Sequence, residues 1–410
     1  MIILEVLFAS LEGSLLNFES RRITDIRSEH EQSEASEVVI KLGRELSYEM
    51  QRSGNGWCWI YRIKLSGQSL YDGYYVTVLD ALLRRGSKHN IAWLHELDRL
   101  GRLKFVDADV RDFEAVRAAA EDADVIYHLA AQVAVTSSVD DPRPDFECNA
   151  LGTFNLLEAA RRNGQKPIIV FTSTNKVYGG MEHIPTVERE TRYEYRELED
   201  GVPESHQLDF HSPYGCSKGA ADQYVRDYAR IYNLPTVVFR MSCIFGPRQF
   251  GNEDQGWMAH FIISALTGQP ITIYGDGKQV RDVLFIDDLV RALRLAVQKI
   301  DITAGDVFNI GGGPSNTLSV WHEFGELLQQ LKGDPLPVSF EDWRPGDQRC
   351  YISDIRKAGA RMGWHPMVDV KTGTRRLWDW VLSNGKLFSA TVQPAPVMVS
   401  KVPAMVAAER

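Results

Sequence analysis

Asp124–Ala131 reads DVIYHLAA, Ala150–Asn163 reads ALGTFNLLEAARRN, and Pro167–Thr174 reads PIIVFTST. Short apolar runs rich in β-branched residues suit strands covered on both faces, and two parallel strands need a crossover segment between them. The middle segment has helical composition, so the three together predict a βαβ unit. The rhythm extends outward. KFVDADV (Lys104–Val110) and PTVVFR (Pro235–Arg240) read as further buried strands, and Ala115–Glu121 and Lys218–Tyr232 as further helices. Strands alternating with helices predict an α/β protein built on a Rossmann-type doubly wound parallel sheet. Ligands of such sheets bind beyond the carboxyl ends of the strands. Thr172, Ser173 and Thr174 close one strand, Ala130 and Ala131 follow another, and Asp109 follows a third. Three hydroxyls where apolar side chains are expected favour a binding role. Asp109 reads equally well as a solvated turn acid.

LDFHSPYGCSKGAADQY (Leu208–Tyr224) puts Tyr214 and Lys218 four residues apart at the start of a helix. Positions i and i+4 lie on one helix face, so phenol and ammonium point into one space. Ser212 and Pro213 suit the N-cap and first-turn positions. A free tyrosine has a pKa of about 10, so its use as a base near neutrality requires a shift of roughly 3 units, about 4 kcal/mol. A neighbouring ammonium supplies that sign of shift. Such a pair also arises by chance, and the hydroxyl-bearing strand end gives this one its meaning.

The chain has 410 residues, 44% of them hydrophobic, which is enough for a large core in one big or two modest domains. A net charge of −9 without a basic cluster argues against nucleic acid as a partner. Cys58, Cys148, Cys216, Cys243 and Cys350 are scattered and odd in number, which predicts neither a disulfide framework nor a metal centre. No apolar run approaches the ~20 residues that span a bilayer. The opening MIILEVLFASL lacks a basic leader and is interrupted by Glu5, so a cytoplasmic location is expected. The Ala-, Val- and Pro-rich segment from Ser389 onward reads as a disordered tail.

FTSTNKVYGG (Phe171–Gly180), the Tyr214 helix, RQFGNEDQGW (Arg248–Trp257) and GKQVRDVLFIDDL (Gly277–Leu289) carry a resemblance. From about Gly73 to Val381 the chain resembles the extended short-chain dehydrogenase/reductase family of nucleotide-sugar epimerases and dehydratases. More narrowly, it is similar to the 2-epimerases of CDP-linked dideoxyhexoses. The resemblance implies NAD as cofactor, a nucleotide-diphosphate sugar as substrate, a smaller C-terminal α/β substrate-binding lobe, and a homo-oligomer. It implies that Tyr214 takes the proton from a sugar hydroxyl while the hydride on the same carbon passes to NAD⁺. Lys218 would then hold the cofactor ribose and Thr174 the reacting oxygen, and the ketone would turn and receive the hydride on its other face. Asp80, Asp109, Val110, Leu129, Ala130 and Ala131 would contact the cofactor. Arg281, followed by Asp282, matches the position that binds the diphosphate, although a salt bridge with Asp282 fits the sequence too. Arg248 is a second candidate for that pocket. The dehydratases carry Asp-Glu directly after the strand-end threonine. Here Asn175 and Lys176 occupy those positions, and a neutral amide cannot protonate a leaving hydroxyl. Asn175 reads either as a sugar ligand or as a turn former. Asn309–Gly313 (NIGGG) resembles a structural turn of the family. A 4-epimerase of UDP-glucose is an alternative with the same fold, and a nucleotide-sugar-binding protein without catalysis is another.

One part departs from the family. A dinucleotide fold starts with a strand and G-x-x-G-x-x-G, followed about 20 residues later by an acid. Asp80 fits the acid, yet Gly54–Gly73 reads GNGWCWIYRIKLSGQSLYDG, with bulky aromatics where close backbone approach is required. The expected division is therefore residues 1–50 as an extension foreign to the family, 51–240 as the NAD-binding domain with a disrupted phosphate loop, 241–385 as mainly the substrate lobe interleaved with the sheet, and 386–410 as a tail. Trp57, Cys58 and Trp59 must be encoded TGG TGY TGG, and Ile60 begins with A. Read one base along, these codons force two glycines, and Asn55–Gly67 permits T-G-G-A-G-F-I-G-S-N-L-A-D, the family fingerprint at the right distance from Asp80. A frame change near Leu70–Gly73 accounts for everything before it. Sequencing the gene checks this: codons 55–67 should spell the fingerprint one base along, and any other string sinks the idea.

Overall fold

The computed structural model describes residues 37–41, 57–84, 86–344 and 347–388. Five strands open the main sheet: β1 (Glu37–Lys41), β2 (Tyr75–Leu79), β3 (Leu103–Val106), β4 (Ala123–His128) and β5 (Ile168–Thr174). Thr236–Met241 and Val307–Ile310 complete it. The spatial order is Val307–Ile310, Thr236–Met241, β5, β4, β1, β2, β3, and every neighbouring pair is parallel. Strand order reverses at β1, which makes the sheet doubly wound. Helices Phe113–Ala120, Gly152–Arg162 and Ser212–Tyr232 supply crossovers on the way. The apolar runs become strands because both faces are covered. Ile126, Ile169, Val170, Phe171, Val237, Val238 and Phe239 are all fully buried, and each such side chain contributes roughly 1.5–3 kcal/mol.

The helix expected over Ala150–Asn163 starts earlier as a π-helical turn, Glu147–Leu151, before continuing as Gly152–Arg162. Gly152 is required there, since a β-carbon would collide with Val110 Cγ2. The sheet's central strand, Glu37–Lys41, lies inside the 1–50 stretch expected to stand apart from the fold. Its backbone pairs with β2 on one side and β4 on the other, so a strand is recruited where the doubly wound order demands one. Residues 42–56, including Gly54 and Gly56 of the disrupted loop, lie outside the described residues, as does the proposed disordered segment from Ser389. The aromatic stretch expected to break the phosphate loop is helical from Trp57 to Tyr71. The tail expected to begin at 386 is anchored instead: Phe388 is 1% exposed and packs its ring 5.3 Å from Phe250 and 5.8 Å from Trp380. A buried ring with two aromatic partners offsets part of the freedom that the segment loses.

Past Met241 the chain leaves the main sheet through Ser242 and enters a second one. There Val280–Phe285 pairs with Cys243–Phe245 and Cys350–Tyr351 in parallel and with Thr317–Ser319 antiparallel. Ile271–Tyr274 and Val338–Glu341 form a separate parallel pair. Gly311 and Gly312 allow the two sheets to approach, because β-carbons there would strike Asp282 Oδ2 and the Val283 carbonyl. NIGGG is thus a packing turn, with Asn309 Nδ2 donating to the Val202 carbonyl at 2.8 Å. Among the described residues no helix is long and apolar enough to cross a membrane.

A buried ionic network fastens the Ser212–Tyr232 helix to the sheet. Arg240 donates to both oxygens of Asp222 at 2.9 and 3.0 Å and to Tyr178 Oη at 3.2 Å, while Tyr178 donates to Asn309 Oδ1 at 2.7 Å. Arg240 and Asp222 are 2% and 0% exposed. Removing one partner leaves an uncompensated buried charge, which costs about 3–5 kcal/mol. Asp222→Ala should lose about that much stability in urea unfolding, and a loss below about 1 kcal/mol would contradict the assignment.

Candidate active site

The Ser212–Tyr232 helix starts beside the carboxyl end of β5, and its first turn decides what reaches the strand end. Pro213 occupies the first turn; the N-cap is His211 rather than the expected Ser212, whose hydroxyl, one position inside, accepts the Gly215 N–H at 3.2 Å. Tyr214 is then fixed from its backbone, its N–H donating to Ser138 Oγ at 3.1 Å. One turn later the Lys218 ammonium donates to the Thr172 carbonyl at 2.6 Å and sits 4.2 Å from the Phe171 ring centroid. Thr174 ends β5, its hydroxyl donating to Asn175 Oδ1 at 3.3 Å and accepting the Lys176 N–H at 3.2 Å.

These groups converge. Tyr214, Lys218, Thr174, Asn175, Ala131 and Arg281 line one cavity of about 160 Å³. Ser173 also lines it, and its Oγ is buried without a hydrogen-bond partner among the described residues. An orphaned hydroxyl beside a cavity suits a ligand that brings the missing partner. A larger cavity of about 500 Å³ adjoins it, with Val133, Val135, Lys176, Cys243 and Arg281 common to both linings. Arg281 bonds Asp347 at 2.5 Å. The salt bridge with Asp282 does not form, because strand alternation turns Asp282 to the other face. There it accepts the Gly313 N–H at 3.1 Å and a short bond from Ser242, and burial pushes its carboxyl up.

The remaining expected cofactor residues follow the ends of β2, β3 and β4. Asp80 is 3% exposed, directly after β2, and accepts the Leu82 N–H at 2.6 Å. Asp109 is buried past the end of β3, where its carboxylate takes the Arg111 guanidinium at 2.7 Å. It is therefore not the solvated turn acid that the sequence also allowed. Val110 packs beneath Gly152, while Leu129, Ala130 and Ala131 are buried after β4, and the Ala131 carbonyl accepts from Arg84 at 2.8 Å.

Arg248 is not in either cavity, contrary to the expectation. A left-handed backbone (φ 74°) turns it away, its guanidinium stacking 3.9 Å from the Trp93 ring centroid and bonding Asn90 Oδ1 at 3.4 Å. Burial lowers its pKa to about 10. The sequence reading also passed over a polar cluster behind the Tyr-Lys pair. Asp145 accepts from Ser217 Oγ at 2.5 Å, Asn149 Nδ2 at 3.1 Å and Gln132 Nε2 at 3.2 Å. Burial raises its pKa from 3.8 to about 6, against lowering by Ser217, Lys218 and Gln132. The i, i+4 spacing of Asp145 and Asn149 was a readable signal, as was Ser217 immediately before Lys218.

The model of the NAD dependent epimerase/dehydratase family matches residues 67–311. The chain belongs to that family. It is therefore an enzyme of the NAD-dependent epimerase/dehydratase type, and its cofactor is NAD. A CDP-paratose 2-epimerase of Salmonella typhi is 42% identical over 335 residues, covering 80% of this chain and 98% of the relative. Among solved structures, a UDP-glucose 4-epimerase of Thermotoga maritima with UDP-glucose superposes with a TM-score of 0.69 at 28% identity, covering 85% of this chain and 99% of its own. The UDP-glucuronic acid 4-epimerase of Bacillus cereus, in complex with UDP-glucuronic acid and NAD, gives a TM-score of 0.69 at 25% identity over 85% and 99% of the two chains. The described residues of this family member suit the sugar-facing end of NAD: a Tyr-Lys pair, an orphaned hydroxyl and a cavity between them. Asp80 suits the far ribose. Of the stretch 54–73 expected to carry the phosphate loop, residues 54–56 lie outside the described residues and Trp57–Tyr71 is helical.

The raised pKa of Asp145 has a stability consequence. Between about 4 and about 6 the folded state holds a proton that the unfolded state releases, so the group's stabilising contribution declines as pH rises through that window. Asp145→Asn cannot ionise. Its melting temperature relative to the unsubstituted chain should climb from pH 4 to 6 and level off above; a difference flat from pH 4 to 7 would exclude the shift.

Proposed function

We propose that this chain is an NAD-dependent 2-epimerase of a CDP-linked dideoxyhexose, interconverting CDP-paratose and CDP-tyvelose. The observation that carries the reading is the lining of the smaller cavity: Tyr214, Lys218, Thr174 and Asn175 meet there, with no Asp or Glu among its described lining residues. Elimination of water requires a group able to protonate the leaving hydroxyl, and Asn175 is neutral where the dehydratases carry an acid. Oxidation and return need only a base, an oxygen ligand and the cofactor. The likeness to the Salmonella typhi CDP-paratose 2-epimerase supports both the base and the sugar position.

In this reading Tyr214 removes the proton from the C2 hydroxyl, Thr174 holds that oxygen, and Lys218 keeps the Tyr214 phenolate favourable. NAD, when bound, would supply the hydride acceptor and donor for that carbon. Tyr214 then reprotonates the oxygen, so no net redox change occurs. Arg281 binds the substrate diphosphate, a match for guanidinium geometry. A homo-oligomer is part of the proposal. Phe146, Leu151, Phe154 and Tyr224 form exposed apolar surface on neighbouring helical segments, at 58%, 40%, 39% and 50% exposure, which favours burial against a second copy.

A 4-epimerase of UDP-glucose is the second reading, supported by the similarity to the Thermotoga maritima enzyme. Incubation with CDP-paratose and with UDP-glucose separates the two by which sugar is epimerised. Tyr214→Phe should reduce turnover by 10³-fold or more, in keeping with loss of a general base, while the bound NAD measured after denaturation stays unchanged. Unaltered turnover would exclude Tyr214 as the base. Purified protein that binds CDP-sugars but carries no NAD would point instead to a binding protein without catalysis.

A further inference from the structure

The two cavities share a wall, and the chemistry of the shared residues is uneven. Val133, Val135 and Cys243 are apolar or weakly polar, whereas Lys176 and Arg281 are cations. The smaller cavity holds the reacting groups. The larger one, bounded by Trp257, Phe261, Tyr274 and Arg344, has the size and aromatic content for a nucleoside. In a nucleotide sugar the diphosphate joins the two halves, so it must pass the wall where both cations stand.

We infer that Lys176 is a substrate-binding and specificity-determining residue whose ammonium holds the sugar-proximal phosphate of the nucleotide diphosphate beside Arg281. The inference rests on the nucleotide-sugar reading above. Its backbone places it well: the Lys176 N–H donates to Thr174 Oγ1, so the side chain departs from the residue that would hold the reacting oxygen. The electrostatics agree. Burial disfavours the Lys176 ammonium, Asp347 favours it, and Arg281 disfavours it. Asp347 meanwhile bonds Arg281 at 2.5 Å. Two cations facing one passage and sharing a counter-charge form a site that a dianion relieves. Arg344, which lines the larger cavity alone, lies 3.7 Å from both Glu253 and Asp254, so its charge is balanced locally. A lysine here also excludes the acid that the dehydratases place at this position, which ties substrate binding and reaction choice to one residue.

Titration calorimetry of the NAD-loaded chain with CDP, UDP and CMP tests this without turnover. Lys176→Met should bind its preferred diphosphate at least tenfold more weakly, with less than a threefold loss for CMP and an unchanged NAD content. Lys176→Arg should stay within threefold of the unsubstituted chain, and Lys176→Gln replaces the methionine variant if that one does not fold. Undiminished diphosphate binding by the neutral variants would overturn the inference, as would an equal loss for CMP. If the unsubstituted chain binds neither diphosphate, the nucleotide-sugar reading fails and the inference with it.

Discussion

The hydrogen bond from Lys218 Nζ to the Thr172 carbonyl, 2.6 Å long, ties the Ser212–Tyr232 helix to the end of β5. The helix repeat then fixes everything on that face. Tyr214, one turn earlier, must emerge beside Thr174, and the cavity between them is set by the distance between a strand end and a helix start. The Arg240–Asp222–Tyr178 network secures the same helix farther along, so two charged side chains of one helix reach the sheet. A cation held this deeply is expensive without partners. Here the carbonyl, the Phe171 ring and the nearby Asp145 share that burden.

The second constraint is the exit of the chain through Ser242. Thr236–Met241 belongs to the main sheet and Cys243–Phe245 to the smaller one, and Val280–Phe285 pairs alongside the latter. Arg281 and Asp282 inherit opposite faces from this strand. One points at the shared wall of the cavities and the other seals the NIGGG turn. A single stretch of β-structure therefore delivers both the cation proposed to meet the diphosphate and a structural lock.

The sequence revealed what depends on local order. Fully buried strands announce themselves as unbroken apolar runs, and the Tyr214–Lys218 and Thr174–Asn175 groups are neighbours in the chain as well as in space. Features created by distant contacts stayed hidden. Arg248 looked like a phosphate ligand until Trp93, far away in sequence, captured its guanidinium. Asp145 was passed over because its partner Ser217 lies 72 residues later. Phe388 belonged to an apparently featureless tail, and only Phe250 and Trp380 explain its anchoring. The strand Glu37–Lys41 was missed for another reason: without the glycine fingerprint behind it, nothing local marked it as the start of a dinucleotide fold.

The central claim is that a hydride leaves one sugar carbon and returns to that carbon within a single site. Labelling tests it directly. CDP-paratose carrying deuterium at C2 should be converted to CDP-tyvelose with the deuterium still at C2, and none should appear in solvent. Loss of the label to water during epimerisation would mean that a proton is abstracted from carbon, and would contradict the account.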